Sequence, residues 1–141
     1  MIRQDYLLKL IEEAGYAIAR LMGMRTEGRY EEVLRELDQL YESFGQTGSA
    51  MLRQTEEDDL LPLLIDEGGL GDEQLTVIAQ LLAEEGATWR ALGEWEKANS
   101  ALRKALRILV HLDESQPELY DFDRKSRIGV IRDHLAEIND Q

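Results

Sequence analysis

Carboxylates dominate the groups in this chain that could do chemistry: 29 Asp and Glu stand against two His and no Cys in 141 residues. The absence of cysteine excludes disulfides, thiolate metal sites and thiol nucleophiles. Carboxylate-bridged di-iron bundles need Glu-x-x-His on two helices. The residues three before His111 and His134 are Ile108 and Ile131, so that motif is missing. Acidic pairs spaced as magnesium ligands on facing helices are Glu56/Asp59, Glu118/Asp121 and Glu137/Asp140. The first two fall at expected helix starts and the third at the chain's end, where the helix dipole and solvation account for them. Both histidines fall late in expected helices, where a cation favours the dipole. Ser43, Ser49, Ser100, Ser115 and Ser126 lack a nucleophile-elbow context. No Walker or dinucleotide glycine motif is present, and the glycines read as loop punctuation. No catalytic residue, metal ligand or cofactor is expected, and the protein is expected not to be an enzyme.

Binding is the better-supported class. Ala79, Ala83, Ala87 and Ala91 step by four beside the large stripe of Leu75, Ile78, Leu82 and Trp89. Small side chains let a neighbouring helix approach closely, and the combined apolar surface is wider than one packing partner requires. Either another helix of the chain, the first or the last, fills this groove, or a partner lies in it. The candidate interaction face is Ala79, Ala83, Ala87, Arg90 and Ala91.

The elements that must carry these residues are helical nearly throughout. Tyr6, Leu7, Leu10, Ile11, Ala14, Ala17, Ile18, Leu21 and Met22 recur at three- and four-residue steps, which predicts a first helix ending near Gly23. A second is expected over 30–44, with Tyr30, Val33, Leu34, Leu37, Leu40, Tyr41 and Phe44 inward. After the break at Gly45–Ser49, a short helix is expected over 50–54. Thr55 is then expected to cap another that opens on Glu56, Glu57 and Asp58, with Pro62 kinking or shortening it and Gly68–Gly69 ending it. Asp72 should cap a helix over 73–92, and a further one should run over 95–112. Ser115-Gln116-Pro117-Glu118 has the form of a capping box with proline in the first turn. The last helix carries Phe122, Ile128, Ile131, Leu135 and Ile138, with a break near Asp123. No stretch alternates as a strand would, so the fold class is all-α, with about five to seven helices in one domain.

The stretch GEWEKANSALRKAL, residues 93–106, resembles the second helix of a tetratricopeptide repeat. Gly93 makes the turn, Trp95 opens the helix, and Ala98, Leu102 and Ala105 alternate small and large. Gly86, Trp89 and Leu82 fall where the preceding helix of such a repeat expects them. Glu85 departs from the pattern at a position normally apolar, and no proline closes the unit after Leu109. A weaker echo, GRYEEVLRELDQLY from Gly28 to Tyr41, places Gly28, Tyr30, Val33, Leu37 and Leu40 at the same offsets. The resemblance implies degenerate hairpins over about 2–44 and 73–112, with short helices over 50–67 between them and a C-terminal helix over about 117–139. The chain as a whole is similar to a small bacterial family of uncharacterised proteins that begin with an MIRQDYLLKLI segment and carry a comparable EEDLLPLL stretch. That likeness implies a tetratricopeptide-like fold and brings no activity with it. The domains of this type that clamp a chaperone's C-terminal carboxylates use Lys, Arg and Asn on the inner faces of their first helices. Here that face reads Gln80, Ala83, Glu84, Ala87, Arg90 and Ala91, so only Arg90 could meet an anion.

Composition narrows the partners. The formal charge of −13 repels phosphate backbones and anionic membranes. The basic runs Arg103-Lys104 with Arg107, and Arg124-Lys125 with Arg127, lie among acids and read as solvated helix faces. Neither nucleic acid nor membrane is expected as a partner. No apolar run approaches the roughly 20 residues of a spanning helix, and the first residues carry charge where a leader would be apolar. A cytoplasmic setting is therefore expected. The expected role is protein–protein interaction, with self-association as a homodimer. The alternatives are an acidic-cleft, metal-dependent enzyme and a helical protein that binds a small ligand.

Overall fold

The computed structural model describes residues 2–45, 48–115 and 122–139. The fold is all-α: α1 (Ile2–Thr26), α2 (Tyr30–Gly45), α3 (Ser49–Gln54), α4 (Asp72–Ala91), α5 (Trp95–Ser115) and α6 (Phe122–Asn139). A 3-10 turn, Glu57–Asp59, and a π-helical segment, Pro62–Glu67, lie between α3 and α4. The expected capping box at 115–118 and the pair Glu118/Asp121 lie outside the described residues, as does Asp140.

Two hairpins, α1/α2 and α4/α5, give the fold its frame, and their turns are built alike. In the first, Gly28 (φ 79°) donates to the Arg25 carbonyl at 3.0 Å and Arg29 to the Met24 carbonyl at 2.9 Å. In the second, Gly93 (φ 76°) donates to Arg90 at 3.0 Å and Glu94 to Trp89 at 2.9 Å. Each pair of bonds closes a helix on a left-handed residue in the Schellman manner, where only glycine is unstrained. The next helices start in the same register, with Val33 donating to Arg29 and Ala98 to Glu94. The offsets read from the sequence between Gly28 and Gly93, and between Val33 and Ala98, are therefore kept in the backbone.

α4 is the central helix. It packs on α1, α2 and α5, and Leu75, Val77, Ile78, Ala79, Leu81 and Leu82 are all buried, pointing to several sides. That explains the apolar breadth seen in its sequence, since a helix surrounded by partners is apolar over most of its circumference. α5 comes close at Gly86: a Cβ there would stand 2.5 Å from Leu102 Cγ. Leu21, Leu37, Tyr41, Leu52, Leu60, Leu64, Leu102, Ile108 and Leu112 complete a single core.

Several sequence expectations need correction. α1 runs through Gly23 to Thr26, because an exposed glycine weakens a helix without ending it. Thr55 closes α3 instead of opening the next helix: its amide and hydroxyl both donate to the Met51 carbonyl. Pro62 does not kink a helix but takes the first position of the π-helical segment, where its missing amide costs nothing. Gly71, not Asp72, is the N-cap of α4, with its amide donating to Gln74 Oε1. Of Arg103, Lys104 and Arg107, expected as a solvated face, Arg103 is exposed, Arg107 half-buried and Lys104 buried. Arg103 and Arg107 pair with Glu57, Arg107 also with Asp58, and buried Lys104 donates to the carbonyls of Leu52 (2.7 Å) and Arg53 (3.2 Å). They fasten the 49–59 segment to α5. Lys125 pairs with Asp113, Arg127 with Asp123, and Arg124 is buried. Phe122, expected on the inward side of the last helix, is 74 % exposed.

The two helix-interior glycines of α4 and α1 should respond in opposite senses. Gly86→Ala should lower stability by about 1–3 kcal/mol, because its Cβ would overlap the buried Leu102 side chain and force it to shift. Gly23→Ala, whose Cβ would enter open space, should raise it by about 0.5–1 kcal/mol. Urea unfolding of both variants checks this, and equal effects would contradict the close α4–α5 contact.

Candidate functional site

Two concave regions flank α4, and they differ in how their charges are spent. The first holds the alanine ladder. Ala79 is fully buried, Ala83, Ala87 and Arg90 are half-buried, and Ala91 is exposed. Facing Ala79, Ala83 and Ala87 across a groove of about 230 Å³ are Arg25 of α1 and Val130, Ile131 and His134 of α6. The ladder thus looks onto the first and last helices of its own chain. A groove of that volume takes side chains, whereas a whole helix is about 10 Å across.

The cations of this groove are engaged. Arg25 pairs with Glu84 at 3.1 Å, and Arg90 pairs with Glu137 on α6. Arg25 and Arg90 hold equivalent places one residue-step before their helix ends, and each reaches a glutamate on the next helix along the groove. Arg90, the residue of the inner face suited to an anion, is therefore occupied within the chain. Burial first, and then the Arg90 guanidinium, push His134 below the usual imidazole range. The expected dipole-stabilised cation at that position is accordingly not what its surroundings favour, because α4 brings a like charge to it.

The second region surrounds Glu85, the residue that departs from the repeat pattern. Glu85 is 4 % exposed. A carboxylate taken this far from water must be met by donors, and three helices supply them. Tyr41 of α2 donates its hydroxyl at 2.8 Å, Arg53 of α3 its Nε at 3.3 Å, and Trp89, one turn along α4, its indole N–H at 3.0 Å. Arg53 also pairs with Asp38 of α2 at 3.3 Å. Burial, followed by the Glu85 charge, pushes the Tyr41 phenol well above its usual range. Burial likewise lowers Lys104, against the pull of Glu85.

Beside this cluster opens a cavity of about 320 Å³ between α3, α4 and α5. Glu85, Trp89, Arg53, Lys97, Ser100 and Lys104 bring the polar atoms, and Leu52, Leu82 and Ala101 bring apolar wall. The Lys97 ammonium stands 4.6 Å from the centre of the Trp89 ring, within cation–π range. The sequence marked Glu85 as anomalous but gave no sign of Arg53 or Lys104, which arrive from segments remote along the chain. Among the described residues no group of three or more His, Asp or Glu is placed to hold a metal ion, and no helix is long and apolar enough to cross a membrane. In comparisons with known proteins, no family model, no curated protein and no solved structure matches this chain.

Tyr41→Phe should test the cluster through pH. Because the folded-state pKa is raised, the hydroxyl's contribution is complete below about pH 10 and is lost as pH rises toward the folded value. At neutral pH the variant should be less stable by about 1–3 kcal/mol, since Glu85 loses a donor. Above pH 10 the gap between variant and parent should narrow. Thermal melts from pH 7 to 11 measure both, and a constant gap would mean that Tyr41 ionises in the folded state as freely as in the unfolded chain.

Proposed function

We propose that this chain is a non-catalytic protein–protein interaction module of tetratricopeptide-like hairpins that self-associates as a homodimer through the outer face of α1. The observation that carries the reading is an uncovered apolar stripe. Ala14, Ala17, Ile18, Leu21 and Met24 of α1 are buried in the core. Leu8 (60 % exposed), Ile11 (39 %) and Met22 (47 %) stand beside that buried face. With exposed Gly15 they fall at steps of three, four and seven residues on one side of α1, and Ile18, which lies between Gly15 and Met22 in that coiled-coil-like series, is turned into the core. The ladder of α4, the other candidate face, looks instead onto α1 and α6 of its own chain.

A second copy is the occupant that fits. A helical seam is self-complementary about a twofold axis. α1 is 25 residues, about 37 Å of continuous helix, and a Cβ at Gly15 would meet nothing within 4 Å, so a neighbouring helix can come close. In a chain of net charge −13, two copies repel least where acids are sparse, and Glu12 is the acid directly beside this seam. The identical turns of the two hairpins, and the close approach of Gly86 to Leu102, support the tetratricopeptide-like part of the reading. The cysteine-free composition suits a reducing, cytoplasmic setting, and the acidic surface disfavours nucleic acid and membranes as partners.

Light scattering should give a mass twice the 16.2 kDa of the chain, independent of concentration over a wide range. Leu8→Asp with Ile11→Asp should yield a monomer of unchanged helicity, because both side chains lie outside the core. Ala83→Arg with Ala87→Arg should leave the mass at that of the dimer. A monomeric parent would refute self-association, and loss of the dimer only in the alanine variant would move the interface to the ladder.

A further inference from the structure

We propose that the cavity between α3, α4 and α5 binds a small organic carboxylate with an apolar body. The inference stands apart from self-association, since this cavity lies on the opposite side of α4 from the ladder groove and draws nothing from α1. Its volume, about 320 Å³, is at the lower end of the range of about 300–1,000 Å³ found for small-molecule pockets.

Charge sets the ligand's sign. The lining holds Arg53, Lys97 and Lys104 against a single acid, Glu85, in a chain that elsewhere carries a large excess of acids. Glu85 is already met by Tyr41, Arg53 and Trp89, so it asks for no further cation. The three basic groups each keep donors in hand. Arg53 uses Nε on Glu85 and one terminal nitrogen on Asp38, leaving the other. Lys104 gives two hydrogens to the carbonyls of α3, leaving a third. Lys97 lies over the Trp89 ring and makes no ion pair among the described residues. The Ser100 hydroxyl sits between Lys97 and Lys104 on the same face of α5, at three- and four-residue steps. The contrast with the ladder groove is direct, because Arg25 and Arg90 there are each closed by a glutamate.

The walls set the rest of the ligand. Leu52, Leu82, Ala101 and the Trp89 ring offer apolar contact on the inner side. Inorganic phosphate would leave that wall bare, and it or a phosphate monoester would bring a second negative charge toward Glu85. A monocarboxylate with a short aliphatic or aromatic body meets both halves: its oxygens at Lys97, Ser100 and Lys104, its carbon skeleton against Trp89 and Leu82.

Hexanoate is a suitable probe, and its neutral isostere hexanamide is the control. Trp89 supplies a local reporter, because its indole N–H lies at the cavity and the chain has just two tryptophans. In ¹H–¹⁵N spectra of the full chain, hexanoate should shift the Trp89 indole signal saturably, with a Kd on the order of 1 mM, and leave that of Trp95 in place. Hexanamide should bind at least about tenfold more weakly, given the loss of charge pairing. Lys97→Glu changes an exposed side chain and so keeps the fold, and it should weaken hexanoate by about tenfold or more. An unmoved Trp89 signal at high hexanoate would overturn the proposal. So would equal binding of the amide, or equal binding by the Lys97→Glu variant.

Discussion

A carboxylate withdrawn from water has to be surrounded by donors, and Glu85 draws its donors from three different helices. Tyr41 lies in the first hairpin, Arg53 in the short helix that follows it, and Trp89 beside Glu85 itself. Meeting that charge fixes how the first hairpin sits on the second and where α3 must lie between them. Lys104 completes the arrangement from the other side by capping α3's last carbonyls from within α5. Loss of any one donor leaves a buried charge short of a partner, which is more damaging than the removal of a contact between neutral groups. The polar cluster is in this sense a specification of the packing, and the apolar core fills in around it.

The two hairpins show how much geometry a short turn can carry. Gly28 and Gly93 are both left-handed, and the two bonds that close each helix there run between equivalent residues. The pairing of small with large side chains differs between the copies, since Val33 and Leu37 stand where Ala98 and Leu102 stand in the second. The turn therefore sets the entry of each second helix, and side-chain volume sets how near it approaches. Gly86 against Leu102 is one such close approach.

Charge is arranged by use. The acids lie mostly on the solvated surface, while many of the cations act as clips between elements: Arg20 to Glu36, Arg25 to Glu84, Arg90 to Glu137, Arg103 and Arg107 to Glu57, and Lys125 to Asp113. Exposed pairs of this kind contribute little individually, about 0–1 kcal/mol, but they define which helix ends meet. Beside Glu85, by contrast, Arg53, Lys97 and Lys104 bring donors to a single cavity.

Sequence periodicity alone was enough for the all-α class, the two hairpins, the inward residues of α2 and the breaks at Gly28, Gly69 and Gly93, because each rests on local backbone preference and on one repeating face. The resemblance to a tetratricopeptide repeat singled out Glu85 as a charge at a position normally apolar. The local pattern misread Thr55 and Pro62, where cap and start lie within a residue or two of each other and either reading satisfies it. It left open whether the ladder on α4 is met from within the chain, and it gave no sign that Lys104 is buried or that Arg103 and Arg107 reach Glu57. Both points have the same physical origin: whether a side chain is covered depends on what crosses it, and that is decided by segments distant along the chain. Tertiary packing alone determined that the ladder groove faces α1 and α6, that Leu8, Ile11 and Met22 of α1 stay exposed, and that Tyr41, Arg53, Trp89 and Lys104 gather around one buried carboxylate.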